Sequence, residues 1–182
     1  PLISIDRRVA SPYADYVGSD EAAGGRMAAD YLFKLGHRNI IQFTGCMDCS
    51  SMRDRAASFE TRSMEHGGII QTVISRNDQE IIEKAKLLLA RKNLPTAVFC
   101  GNDHIASFIY DILTDQGLKI PDDVSVVGYG NQNLSEYLRP RLTTINQNPE
   151  NIGRKAAELF LRRAAEKNTK RTAQMEELVP VT

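Results

Sequence analysis

Apolar and polar positions along the chain alternate between two periods. Short runs rich in β-branched and aromatic residues read as strands: "LISID" (2–6), "NIIQFTG" (39–45), "IIQTVIS" (69–75), "TAVFC" (96–100), "VSVVGYG" (124–130), "LTTI" (142–145) and "ELVPVT" (177–182). Longer stretches with helical spacing lie between them. In "DEAAGGRMAADYLFKLG" (20–36), Ala28, Tyr31, Leu32 and Leu35 recur at i, i+3, i+4 and i+7, and Gly36 marks the stop. "MRDRAASFETRSMEHGG" (52–68) predicts a helix closing on Gly67 and Gly68. "DQEIIEKAKLLLARK" (78–92) sets Ile81, Ile82, Ala85, Leu88 and Leu89 on one face. "DHIASFIYDILTDQG" (103–117) does the same with Ile105, Phe108, Ile109, Ile112 and Leu113. "PENIGRKAAELFLRRAAEK" (149–167) opens on Pro149 and turns Ile152, Ala156, Leu159 and Phe160 to its apolar side, while Pro180 suits an edge strand.

Strand and amphipathic helix thus alternate at short spacing. This predicts right-handed βαβ units and an α/β fold: a parallel sheet with helices on both faces. Ligands of open parallel sheets bind beyond the carboxyl ends of the strands. The residues that follow the predicted strands are polar at five ends: "CMDCSSMRDR" after 39–45, Arg76-Asn77-Asp78 after 69–75, Asn102-Asp103-His104 after 96–101, "YGNQN" (129–133) after 124–128, and Asn146-Gln147-Asn148 after 142–145. Amide, guanidinium and carboxylate groups together suit a small polyhydroxylated ligand, since a hydroxyl both donates and accepts. Asn102 or Asp103 alone can equally cap the helix that follows.

Composition narrows the function. The chain has 182 residues, 42% hydrophobic, with 23 basic and 23 acidic residues. That size buries one good core or two small lobes sharing a crevice. A zero net charge lacks the basic excess typical of a nucleic-acid-binding domain; only "RRAAEKNTKRTAQ" (162–174) is locally basic. No apolar stretch reaches the ~18 residues of a membrane span, and no signal-peptide pattern opens the chain, so no membrane partner is expected. Three cysteines, an odd number, point to a reducing cytoplasm rather than a disulfide scaffold.

Two of them form Cys46-Met47-Asp48-Cys49, followed closely by Arg53 and Arg55. A redox CxxC places its first cysteine at a helix N-terminus, whereas both cysteines here precede the predicted helix, with Cys49 coming close to its start. No second CxxC or nearby histidine completes a zinc set, and no nucleophile-elbow or phosphate-loop motif is found. No metal, cofactor or catalytic residue is therefore expected.

"LGHRNI", an arginine opening a helix, "PTAVFCGNDHIA", "GLKIPDDVSVVGYGN" and "RPRLTTINQ" occur in that order. Together they resemble the effector-binding region of LacI/GalR-family bacterial transcription repressors over essentially the whole chain. The resemblance implies a two-lobed, type I periplasmic-binding-protein-like fold with an incomplete N-terminal lobe, a small effector (a sugar or sugar phosphate) between the lobes, and a cytoplasmic homodimer. Operator DNA would be bound only through an N-terminal helix-turn-helix domain outside these residues. It also implies a division: 1–36 and the return helix 147–170 in the N-terminal lobe, 37–146 and a closing strand within 171–182 in the C-terminal lobe. A sugar-binding protein of a transport system is the alternative with the same fold.

Carried over position by position, Arg55 matches an arginine that clasps effector hydroxyls. Ser51, Asn102 and Gln147 match polar site positions. Cys49 and Asp78 join the set as loop and strand-end residues at the mouth of the site. Gly130 stands where many sugar-responsive members have aspartate, which leaves Asn131 or a lobe-bridging water to take over its hydrogen bonds or points to a different effector, such as a phosphorylated sugar met by Arg53, Arg55 and Arg76. Ser58 stands where a glycine is common and implies a local packing adjustment.

Overall fold

A computed structural model describes residues 1–90, 93–166 and 174–182. The strands are β1 (Leu2–Ile5), β2 (Ala14–Ser19), β3 (Asn39–Thr44), β4 (Ile69–Ile74), β5 (Ala97–Cys100), β6 (Ser125–Tyr129), β7 (Thr143–Ile145) and β8 (Glu176–Val179). The α-helices are α1 (Glu21–Lys34), α2 (Ser50–Glu65), α3 (Asp78–Leu89), α4 (Asp103–Asp115) and α5 (Pro149–Ala165). All the strand pairs are parallel, in a five-stranded sheet of order β4-β3-β5-β6-β7 and a three-stranded sheet of order β1-β2-β8. The ends of the helices expected over 78–92 and 149–167, part of the basic segment 162–174, and part of the boundary near 170 lie outside the described residues.

Three apolar clusters explain the layers. On one face of the larger sheet, Ile41, Phe43, Val98 and Val126 pack under Ile81, Ala85 and Leu89 of α3 and Ile105, Ile109 and Leu113 of α4. On the other face, Ile40, Phe99 and Val127 pack under Ala28, Ala29, Leu32 and Phe33 of α1 and Phe59 of α2. The third cluster joins Val17 and Val179 of the smaller sheet to Ile152, Ala156 and Leu159 of α5. The central strand β5 is buried throughout and reads as an unbroken apolar run, whereas edge strand β4 alternates.

The structure departs from the sequence reading in four respects. Strand β2 was not expected, because Asp15 and Gly18 interrupt its apolar pattern. Asp15 is nevertheless fully buried, gripped by Arg163 of α5 through Nε–Oδ2 (2.8 Å) and Nη2–Oδ1 (2.9 Å) and by the Met175 N–H at 2.9 Å. The buried face of α1 is rotated, with Ala29 and Phe33 inside while Tyr31 and Leu35 are exposed; Phe160 of α5 is also exposed. The lobe boundary expected after residue 36 falls instead after Ser19, because α1 covers the larger sheet. Finally, β8 pairs with β2 and so closes the smaller sheet, as an edge strand with Pro180 just beyond it.

Gly128 lets β6 pass close to its neighbours. A Cβ there would lie 2.4 Å from Asp103 Oδ1 and 2.7 Å from Leu142 Cδ2. Gly128→Ala is expected to destabilise the protein by about 1–3 kcal/mol, the usual cost of overpacking, read as a lower urea midpoint at unchanged slope.

Candidate functional site

The carboxyl ends of the two sheets face each other. Three passes of the chain join them: Ser19 to Glu21, Ile145 to Pro149, and Val179 onward, where Val181 packs into the larger sheet's core. The second and third passes run side by side, with backbone hydrogen bonds from Asn146 N to Thr182 O (2.7 Å) and from Thr182 N to Asn146 O (3.2 Å). Arg8, in the β1–β2 loop, forms a further bridge. Its N–H donates to Ser50 Oγ at 3.2 Å, its guanidinium reaches Asp54 at 3.2 Å on α2, and it also pairs with Glu176 of β8.

Arg55 is the centre of this edge. It rises from α2 with only 4% of its surface exposed. Its Nε and Nη2 donate to Glu21 Oε2 at 2.9 and 2.7 Å, Nη1 donates to the Gly101 carbonyl, and its guanidinium carbon lies 3.5 Å from the centre of the Tyr129 ring. Glu21 Oε1 accepts from Ser19 Oγ (2.5 Å) and Gln147 Nε2 (3.1 Å), so the network reaches into two of the three chain passes. Burial and the Glu21 carboxylate beside it push the Tyr129 phenol well above its ordinary value. Gly25 accommodates Ser58: a Cβ on Gly25 would lie 2.1 Å from Ser58 Oγ, which donates to the Arg55 carbonyl.

The other expected residues fall into groups. Cys49 is the residue preceding α2, half-buried, with Sγ 3.1 Å from the Oγ of buried Ser51. Burial raises the Cys49 thiol, but hydrogen bonds from Ser51 and from the Met52 and Ser51 N–H groups, with Arg7 nearby, bring it below its ordinary value. Gly130, Asn131 and Gln147 line a depression of about 580 Å³ with Gln132, Asn133 and Pro149. Asn102 caps α4, accepting from Ile105 N–H at 2.8 Å. Asp78 is exposed and pairs with His104 at 3.0 Å. Arg53 is exposed and pairs with Asp54, and Arg76 is exposed.

Gly130 has φ +123°, a conformation that strains any L side chain, so glycine here fits the backbone as well as the chemistry. All the non-glycine residues with positive φ among the described residues lie on this edge: Asp6 (65°), Asn131 (50°) and Asn148 (58°). Such conformations concentrate at functional sites.

Sequence reasoning missed Asp6, Ser19 and Glu21. Asp6 is half-buried; desolvation first, and then the Glu21 carboxylate, raise its pKa. Asp103, named at a strand end, is fully buried and accepts from Thr144 Oγ1 (2.6 Å) and Gln132 N–H (2.7 Å); desolvation nevertheless raises its pKa. The usable signal for Glu21 was an acid at the first position of a helix that follows a strand.

Among the described residues no three metal-ligating side chains cluster, and no helix is long and apolar enough to cross a membrane. Two parallel sheets meeting at their carboxyl ends, with a polar crevice and three chain crossings, define a two-lobed fold of the periplasmic-binding-protein type. The comparisons agree. The family of periplasmic binding protein-like domains matches residues 29–182, and the chain belongs to it, with transcriptional repressors and LacI-family regulators among its relatives.

Among these, the HTH-type transcriptional repressor PurR of Photobacterium profundum is 33% identical over 175 residues, covering 94% of this chain and 52% of the relative. PurR of Vibrio campbellii is 33% identical over 181 residues, covering 97% and 54%. The chain thus spans about half the length of the curated relatives it matches. A LacI transcriptional regulator from a Rhodococcus species superposes with a TM-score of 0.87 at 29% identity, over 100% of this chain and 66% of that one. A LacI family regulator from Enterococcus faecium with bound ribose gives 0.87 at 27%, over 100% and 68%.

Removing one member of a buried, hydrogen-bonded ion pair strands the other. Arg55→Ala is therefore expected to destabilise the full-length protein by about 3–5 kcal/mol in urea unfolding, and adding Glu21→Ala to relieve much of that loss. In a carboxyl-carbon NMR titration Asp103 is expected to titrate above 3.8, and higher still in Thr144→Val, which removes a donor to the ionised form. Because its folded pKa is raised, Asp103 makes stability fall as pH rises from 3.8 through that folded value.

Proposed function

We propose that this chain is the effector-sensing part of a LacI/GalR-type transcription repressor acting in the cytoplasm as a homodimer. A small sugar or sugar derivative enters the crevice and bridges the lobes. What supports this reading is that Arg55, Glu21, Asp6 and Gln147 interact where the carboxyl ends of two parallel sheets meet, with Asn131 beside Gln147 in the adjoining depression. Relatives described as repressors favour it over a transport protein, and nothing in them suggests an enzyme. The ribose held by the Enterococcus faecium regulator supports a pentose-sized, hydroxyl-rich ligand.

In this reading Ser51, Asn131, Gln147 and the free amide of Asn102 supply hydrogen bonds to hydroxyls, with Cys49 and Asp78 at the rim. Gly130 keeps the floor open. Arg55 presents its remaining N–H groups from a fixed position and does not swing to meet the ligand. Effector binding shifts operator affinity only by the difference in its affinity for two lobe arrangements. In this reading those arrangements differ at the Arg8 contacts to Ser50 and Asp54, which cross between the lobes.

A thermal-shift screen of sugars, sugar phosphates and nucleobases on the full-length protein tests the proposal. One neutral compound is expected to raise Tm saturably and to change operator binding in a gel shift. Binding without any effect on operator affinity, or no operator binding at all, counts against the repressor reading.

A further inference from the structure

We propose that Glu21 makes the crevice selective for uncharged, hydroxyl-bearing effectors and against phosphate esters, by engaging the one buried guanidinium on this edge. The inference rests on the effector-binding reading and narrows its ligand class.

Arginine recognises phosphate by offering a fork of N–H donors with an unspent positive charge. Arg55 has no unspent charge to give, and most of its donors are engaged. Glu21 takes Nε–H and one Nη2–H, and the Gly101 carbonyl takes an Nη1–H, which leaves at most two of the five donors of a guanidinium. The charge is matched by a carboxylate 2.7 Å away, both groups being almost wholly out of water. A remaining N–H still serves a hydroxyl or carbonyl oxygen, which asks for a donor and not for net charge.

The surroundings reinforce this. Asp6 and Asp103 both interact electrostatically with Arg55, so three carboxyl groups attend one buried cation. The other cations near the edge face carboxylates or water: Arg7 pairs with Asp6, Arg8 with Asp54 and Glu176, Arg53 with Asp54, and Arg76 is exposed.

Helix N-termini, the other common phosphate cradle, mostly carry an acid here. An acid stands in the first turn of α1 (Glu21), α3 (Asp78, Glu80) and α4 (Asp103). At α2 the first turn has no acid and the capping residue Cys49 makes no side-chain cap hydrogen bond, so this terminus alone of the four is left uncovered. An anion entering beside Arg55 would meet the Glu21, Asp6 and Asp103 carboxyl groups around it.

The test uses full-length protein and inorganic phosphate as the probe, followed by calorimetry and thermal shift in a phosphate-free buffer. Wild type is expected to show no saturable binding below about 10 mM. Glu21→Gln, which frees the Arg55 charge at nearly constant shape, is expected to gain at least about tenfold in phosphate affinity. Glu21→Asp, which keeps the charge, is expected to gain none.

Saturable phosphate binding by wild type that Arg55→Gln abolishes overturns the proposal, and so does a folded Glu21→Gln protein with no gain. Should Glu21→Gln fail to fold, the wild-type titration decides alone. A phosphate gain in Glu21→Gln alongside a silent panel of neutral sugars and nucleobases would uphold the charge assignment and remove the effector reading beneath it.

Discussion

Withdrawing a guanidinium and a carboxylate from water costs several kcal/mol per ion, and the cost is recovered only where geometry is good and the remaining lone pairs are satisfied. The Arg55–Glu21 pair meets that condition. Two N–H donors fork onto one carboxylate oxygen, the other oxygen is held by Ser19 and Gln147, and the far side of the guanidinium meets the Gly101 carbonyl and the Tyr129 ring. The start of α1, the first turns of α2, the ends of β5 and β6 and two chain crossings are thereby fixed to one another. The crevice floor is set by this network before any ligand arrives, which is the preorganisation that makes weak polar contacts useful.

The larger sheet was legible in sequence because its inner strands are buried on both faces and its helices carry one apolar stripe each. Period and turn residues suffice to find such elements. Strand β2 was not legible, because its stability comes from a partner nearly 150 residues away: Asp15 is tolerable in a buried strand only with Arg163 clasping it. The same holds for the phase of α1. Ala28 and Leu32 were placed correctly, but Tyr31 and Leu35 follow the helical period and still point outward, since α2 and the sheet take the adjacent stripe.

The site divides in the same way. Polar strand ends could be read from the topology, and the family resemblance picked out Arg55. What neither supplied was the state of Arg55. An arginine in a list of site residues looks available, and only the positions of Glu21 and Gly101 show how much of it is already engaged. Asn102 shows the converse, since the capping role considered for it in sequence is the one its side-chain oxygen performs.

The three passes between the sheets carry a mechanical consequence. Two of them are zipped together by the Asn146–Thr182 pair, and the third leaves Ser19 for Glu21 within the same network as Gln147. Three short tethers of fixed length forbid the lobes to slide apart or translate past one another. What they leave is rotation about the line of the tethers, with the largest displacement at the rim farthest from them. A ligand deep beside the tethers would therefore work against a long lever: a small adjustment at the floor would become a large sweep at the outer surfaces of the lobes.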